Sequence, residues 1–126
     1  MTTTQTITPE EMTVYRATAR RRWEQEQADL AARKERAWAV AHRAAAMLRG
    51  RFHATRVVVF GSLAHGQWFS ASSDIDLAAW DIAPDDFFVA VAHCQDISPE
   101  FTIDLVDLAH CRPSLRTAID AEGIEL

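Results

Sequence analysis

Asp74 and Asp76 stand one residue apart in Ser73-Asp74-Ile75-Asp76-Leu77. In an extended chain alternate residues share a face, so the two carboxylates project side by side while Ile75 and Leu77 turn into a core. Two such charges about 4 Å apart repel by roughly 4 kcal/mol at an effective dielectric near 20, and a hard divalent ion that prefers oxygen ligands makes the pair favourable. Magnesium with a phosphate-bearing substrate is the chemistry these residue types suggest. Upstream, Val57-Val58-Val59-Phe60 runs into Gly61-Ser62, separated from the aspartates by the spacer 63–73. A glycine lets backbone approach a phosphate closely, and a serine hydroxyl with the N–H groups of a helix start can hold its oxygens. A third carboxylate, Asp104, lies in Thr102-Ile103-Asp104-Leu105-Val106 and shares a strand face with Thr102 and Val106. If its strand neighbours the one bearing Asp74 and Asp76, three carboxylates converge. Asp107 falls on the face of Ile103 and Leu105, which suits a strand end.

Such a constellation fits two-metal in-line displacement, in which one ion orients a triphosphate and stabilises leaving pyrophosphate while the other activates an attacking hydroxyl. Asp104 is then the residue to bind the second ion or accept the nucleophile's proton.

The elements that must position these groups follow from periodicity and punctuation. Thr8-Pro9-Glu10-Glu11 opens a helix with a capping box, and no Gly or Pro interrupts the chain until Gly50, so one long helix or two kinked halves precede the site. Residues 1–7 are polar and expected to be mobile. The first half of the helix is charged and carries a thin apolar set, Met12, Tyr15, Ala19 and Trp23; either it meets a partner or a second copy, or it is a solvated helix held by charge pairs. The second half, with Leu30, Ala37, Trp38, Ala41, Ala44, Ala45 and Leu48 at helical spacing, should pack on the domain. Gly50 is expected to end it. Strands follow over Arg56 to Phe60, Asp74 to Trp80 and Phe101 to Leu108. One helical turn is expected over Ser62 to Gly66, and helices are expected from Pro84 and over Pro113 to Glu122. Trp80 shares parity with the aspartates and could stack on a base, whereas Trp68 and Phe69 suit loop packing.

The 126 residues, 48% hydrophobic and 25% charged, suffice for one globular core. A net charge of -5 and a pI near 5.4 oppose non-specific binding of DNA or RNA, so no direct nucleic-acid binding is expected. Cys94 and Cys111 lack zinc or disulfide spacing, and no apolar run approaches the ~20 residues of a membrane span, so a soluble, cytoplasmic protein is expected.

Phe60-Gly61-Ser62, the spacer and Asp74-Ile75-Asp76-Leu77 resemble the signature of the DNA polymerase β-type nucleotidyltransferase superfamily, and Ile103-Asp104-Leu105-Val106 resembles its third carboxylate strand. Chain length and the run Gly61-Ser62-Leu63-Ala64-His65-Gly66 look most like the minimal nucleotidyltransferases, over Ala54 to the C-terminus. The resemblance implies an α/β (α+β) fold with a small mixed β-sheet, helices packed on one face and a long N-terminal helix. It divides the chain into a helical extension, 1–50, and a minimal nucleotidyltransferase domain, 51–126. It implies Gly61, Ser62 and His65 on the nucleotide, and Asp74, Asp76 and Asp104 as catalytic residues and magnesium ligands. The context it implies is an antitoxin paired with an all-helical HEPN toxin, neutralised in some members by transfer of AMP from ATP to a tyrosine hydroxyl. Because no second domain large enough to hold an acceptor is expected, a partner protein is the economical acceptor. Antitoxin action by binding alone and transfer to a small molecule are the alternatives. One departure bears on the choice: relatives commonly carry arginine where His65 stands, and a histidine is largely neutral at pH 7 whereas arginine is always cationic. An arginine from elsewhere could meet the need, Arg112 and Arg116 being the nearest candidates on the C-terminal segment.

Overall fold

In the computed structural model, which describes residues 6–126, the elements run α1 (Pro9–Phe52), β1 (Arg56–Phe60), α2 (Gly61–His65), β2 (Ile75–Trp80), α3 (Pro84–Gln95), β3 (Ile103–Asp107), α4 (Pro113–Glu122) and β4 (Ile124–Glu125). Most of the polar N-terminal tail, residues 1–5, lies outside the described residues. The chain forms two compact units, Met1–Ala32 and Arg33–Leu126.

The first unit is helical from Pro9. Its start is the capping box: the Glu11 N–H donates to Thr8 Oγ1 at 3.1 Å and the Thr8 N–H to Glu11 Oε2 at 3.4 Å, which satisfies two donors that a helix start otherwise leaves orphaned. Beyond the cap its side chains bond only locally, as in Gln25 Nε2 to Asp29 Oδ1 at 2.9 Å, and no ion pair forms among described residues 6–32. Val14, Tyr15 and Trp23 are exposed there.

In the second unit the α1 residues Ala37, Val40, Ala41, Ala44, Ala45, Leu48 and Phe52 are buried, the stripe expected of an amphipathic helix. Gly50 does not end the helix. It faces open space, where a glycine costs only about 1 kcal/mol, while Phe52 two residues on is buried. The chain turns instead at His53, whose φ of 59° is left-handed, and the Ala54 N–H closes on Leu48 O at 3.1 Å.

The sheet has the order β3-β2-β1-β4, with β1 antiparallel to β2 and β4, and β2 parallel to β3 through the α3 crossover. It is therefore mixed. One face carries Val57, Val59, Ile75, Leu77, Ala79 and Ile103, all nearly or fully buried. Edge strand β3 is blunted by Gln95 of α3, whose amide donates to Ile103 O while its Oε1 accepts the Ile103 N–H at 3.4 Å. The opposite face is not bare. Leu115 and Ile119 of α4 pack there with Val58, Phe60, Ala78, Trp80, Val106 and Leu108, so the helices do not all lie on one face. The reason is the apolar row Val58–Ala78–Val106, aligned across three strands by register, which needs a cover. The next row along is Phe60–Asp76–Asp104, and there the face turns polar.

Candidate functional site

Register puts Asp76 of β2 directly beside Asp104 of β3, on the face that α4 covers and just past its apolar cluster. Neighbouring strands lie about 4.8 Å apart, so two carboxylates side by side on one face here repel. Asp74 immediately precedes β2, where the Ile75 N–H donates to Thr102 O at 3.0 Å. Asp76 is half-buried, while Asp74 and Asp104 are exposed. Burial, then the charge of Asp104, then that of Asp74, together push the Asp76 carboxyl up from 3.8 to about 6. The three carboxylates therefore share an electrostatic field. Even so, among the described residues no three His, Cys, Asp or Glu side chains are gathered into a group that could hold a metal ion.

The donor set is nonetheless of the kind magnesium takes. Three carboxylates supply hard oxygen ligands, and a half-buried carboxylate destabilised by its like-charged neighbours is one that a divalent cation relieves.

Gly61 stands against Asp76. Its φ of 72° is left-handed, and a Cβ at this position would collide with Asp76 Oδ2. Only glycine meets both conditions without strain. From Gly61 the chain enters α2, with Ser62 half-buried in its first turn and Leu63 buried, and Gly66 closes the helix through its N–H to Ser62 O at 2.9 Å.

The loop 67–73, the part of the spacer that joins α2 to the aspartates, is held by α1. Arg33 donates from Nη2 to Ser73 O at 3.2 Å, lies 5.9 Å from the centre of buried Phe69 and 4.4 Å from that of Phe101, and sits 3.7 Å from Glu100 Oε2. At the other end of this loop the Lys34 ammonium lies against Gly66, the residue just before it. Consecutive residues of one helix thus touch both ends of the loop that sets Gly61-Ser62 relative to Asp74. No local signal in the sequence marks Arg33 or Lys34, because their partners lie more than thirty residues away. Arg33→Met is expected to keep the apolar packing but free Ser73, lowering stability by about 1–2 kcal/mol through loss of a partly buried charged hydrogen bond. Urea unfolding checks it. A midpoint unchanged by the substitution would show that Arg33 does not anchor the spacer.

The other sequence candidates fall as follows. His65, on α2, does not stand free for a nucleotide: its Nε2 lies 2.6 Å from Glu122 Oε2 at the end of α4. Arg112 and Arg116 are exposed at the start of α4, and neither guanidinium bonds to a site residue among the described residues. Trp80 has its ring occupied by the Arg56 guanidinium at 4.3 Å and is part of the α4 cluster, so it is packed rather than open for stacking. Trp68 is exposed and Phe69 buried. Asp107 caps the strand end, accepting the Ala109 N–H at 3.0 Å and facing His110 Nδ1 at 2.9 Å. No helix among the described residues is long and apolar enough to cross a membrane.

No protein-family model matches the sequence, and no curated protein matches it. Solved structures share the fold. The structure of "the toxin-antitoxin with AMP-PNP" aligns with a TM-score of 0.57 at 20% identity, covering 68% of this chain and 70% of that one. A mutant of "the toxin-antitoxin MntA-HpeT" aligns with a TM-score of 0.55 at 21% identity, covering 68% of this chain and 69% of that one. At such identities the likeness is one of fold, and it is the α/β fold with a long N-terminal helix that the motif resemblance implies.

Proposed function

We propose that this chain is a magnesium-dependent nucleotidyltransferase antitoxin that moves a nucleotide, AMP from ATP, to a hydroxyl of a partner toxin of the HEPN type. The observation that carries the reading is Asp76 in register beside Asp104, with Asp74 next to them and Gly61 against Asp76. The likeness in fold to a toxin-antitoxin with AMP-PNP and to the toxin-antitoxin MntA-HpeT supports the same class and the same kind of partner. Free Cys94 and Cys111 suit the reducing cytoplasm, where ATP and magnesium are at hand.

In this reading Gly61 leaves room for the Asp76 carboxylate to close on the start of α2, and Ser62 with the first N–H groups of α2 binds phosphate oxygens. Asp74, Asp76 and Asp104 would hold magnesium, which supplies charge neutralisation for the triphosphate and for the leaving pyrophosphate. Asp104, exposed at the edge strand, takes the proton as the acceptor oxygen forms its bond to the α-phosphorus and the bond to pyrophosphate breaks. Hydroxyl and ATP thereby give the adenylylated acceptor and pyrophosphate.

The pairing of His65 with Glu122 favours a second reading, an antitoxin that acts by binding alone, because it occupies a residue otherwise open to the nucleotide. Pyrophosphate release in the presence of ATP, magnesium and a HEPN-type partner toxin separates the two. Release that requires the toxin supports transfer to protein. Release without any protein partner assigns a small-molecule acceptor, and no release while the toxin stays inhibited overturns the enzymatic reading.

A further inference from the structure

Resting on the nucleotide-transfer reading, we propose that Lys34 of α1 is the cation that binds the terminal phosphates of the triphosphate, the role His65 does not fill. A triphosphate delivered beside Asp74, Asp76 and Asp104 meets three like charges, and cations beyond the metal lower that cost. The cationic side chains at this loop differ in what they already do. Arg33 is committed to Ser73 O, Glu100 and two aromatic rings. His65 is turned to Glu122. Lys34 is half-buried, has its ammonium against Gly66, and makes no hydrogen bond or ion pair among the described residues.

Reach is adequate. Gly66 lies four residues beyond Ser62 on a helix that rises 1.5 Å per residue, about 6 Å, which a four-carbon stem spans by rotation about its own bonds. The small residue at position 66 is what admits the ammonium, since a Cβ there would occupy its place, and the φ of 77° at Gly66 is also left-handed. Lysine suits the task as a compact point charge with three donors that can follow a phosphate. The same ammonium, resting against the carbonyl end of α2 until substrate arrives, is held near the site at little cost.

The test compares equilibrium binding of ATP and of AMP, each with magnesium, to the parent protein, Lys34→Met and Lys34→Arg, with thermal melts to confirm that each variant is folded. Loss of one charge-assisted contact predicts that Lys34→Met weakens ATP binding about tenfold to a hundredfold. AMP, which lacks the terminal phosphates, should bind within about twofold of the parent, and Lys34→Arg should recover most of the ATP affinity. A purely structural role would weaken both ligands alike. If the parent binds ATP and Lys34→Met binds it equally well, or loses ATP and AMP in parallel, Lys34 is not a triphosphate ligand and the nucleotide-transfer reading stands without it. If the parent binds no ATP with magnesium, both fall together.

Discussion

Asp76→Asn is expected to lower nucleotide transfer by about a thousandfold or more and, in metal-free buffer at pH 7.5, to make the protein more stable than its parent. The activity loss follows from removing a carboxylate from the set that would hold the metal, an interaction worth several kcal/mol in the transition state, each 1.36 kcal/mol being tenfold in rate. The gain in stability follows from linkage. Burial and the charges of Asp104 and Asp74 raise the Asp76 carboxyl from 3.8 to about 6, so the folded chain holds this proton more tightly than the unfolded chain does. The stability tied to the protonated carboxyl is full below about pH 4 and is lost as pH rises through about 6. Above that range the folded protein carries a destabilised charge. Full conversion of the shift would give roughly 3 kcal/mol, and because the side chain is only half-buried, solvent screening reduces the expected gain to about 1 kcal/mol. Thermal melts between pH 4 and pH 8 should show the variant's advantage appear as pH rises. Magnesium should raise the melting temperature of the parent at pH 7.5 and leave Asp76→Asn nearly unmoved. A variant less stable than the parent at every pH would mean that Asp76 is not held against its neighbours' charge.

Gly61→Ala should cost about 2 kcal/mol of stability and most of the nucleotide affinity. An alanine at a φ of 72° bears about 1 kcal/mol of steric cost, and its Cβ adds a collision with Asp76 Oδ2 that only movement of the carboxylate can relieve. A double-mutant cycle isolates the second part. In an Asp76→Ala background there is no carboxylate to strike, so Gly61→Ala should cost about 1 kcal/mol less than in the parent. Equal costs in both backgrounds would place the glycine's role in backbone conformation alone and remove its tie to the carboxylate.

Much of the fold could be read from the residues because its signals are local. The β-branched run before Gly61 and the alternation in Ile75–Leu77 and Ile103–Val106 mark strands whose parity groups Asp74 with Asp76 and, separately, Asp104 with Thr102 and Val106. Pro9 and Thr8 mark a helix start that forms as a capping box. What parity cannot give is register, and register is what sets Asp76 beside Asp104 rather than a residue above or below it. Nor does α4 declare its face, since Leu115 and Ile119 would serve either side of a sheet; the apolar row Val58–Ala78–Val106 decides it. Gly50 misleads because an exposed glycine is tolerated inside a helix whose next turn buries Phe52. The two-residue β4, Ile124–Glu125, is too short to show a period. At the site, the contacts of Arg33 and Lys34 with the spacer and of His65 with Glu122 join segments far apart in sequence, and such tertiary pairings leave no local trace.

In the proposed function the carboxylates beside Gly61 carry nucleotide transfer to a partner protein. Its most direct test is the intact mass of the partner toxin after incubation with this chain, ATP and magnesium, using the parent and an Asp74→Asn plus Asp76→Asn variant. The toxin should gain the mass of whole AMP groups with the parent and nothing with the double variant. A toxin of unchanged mass that is inhibited equally by both proteins would contradict it.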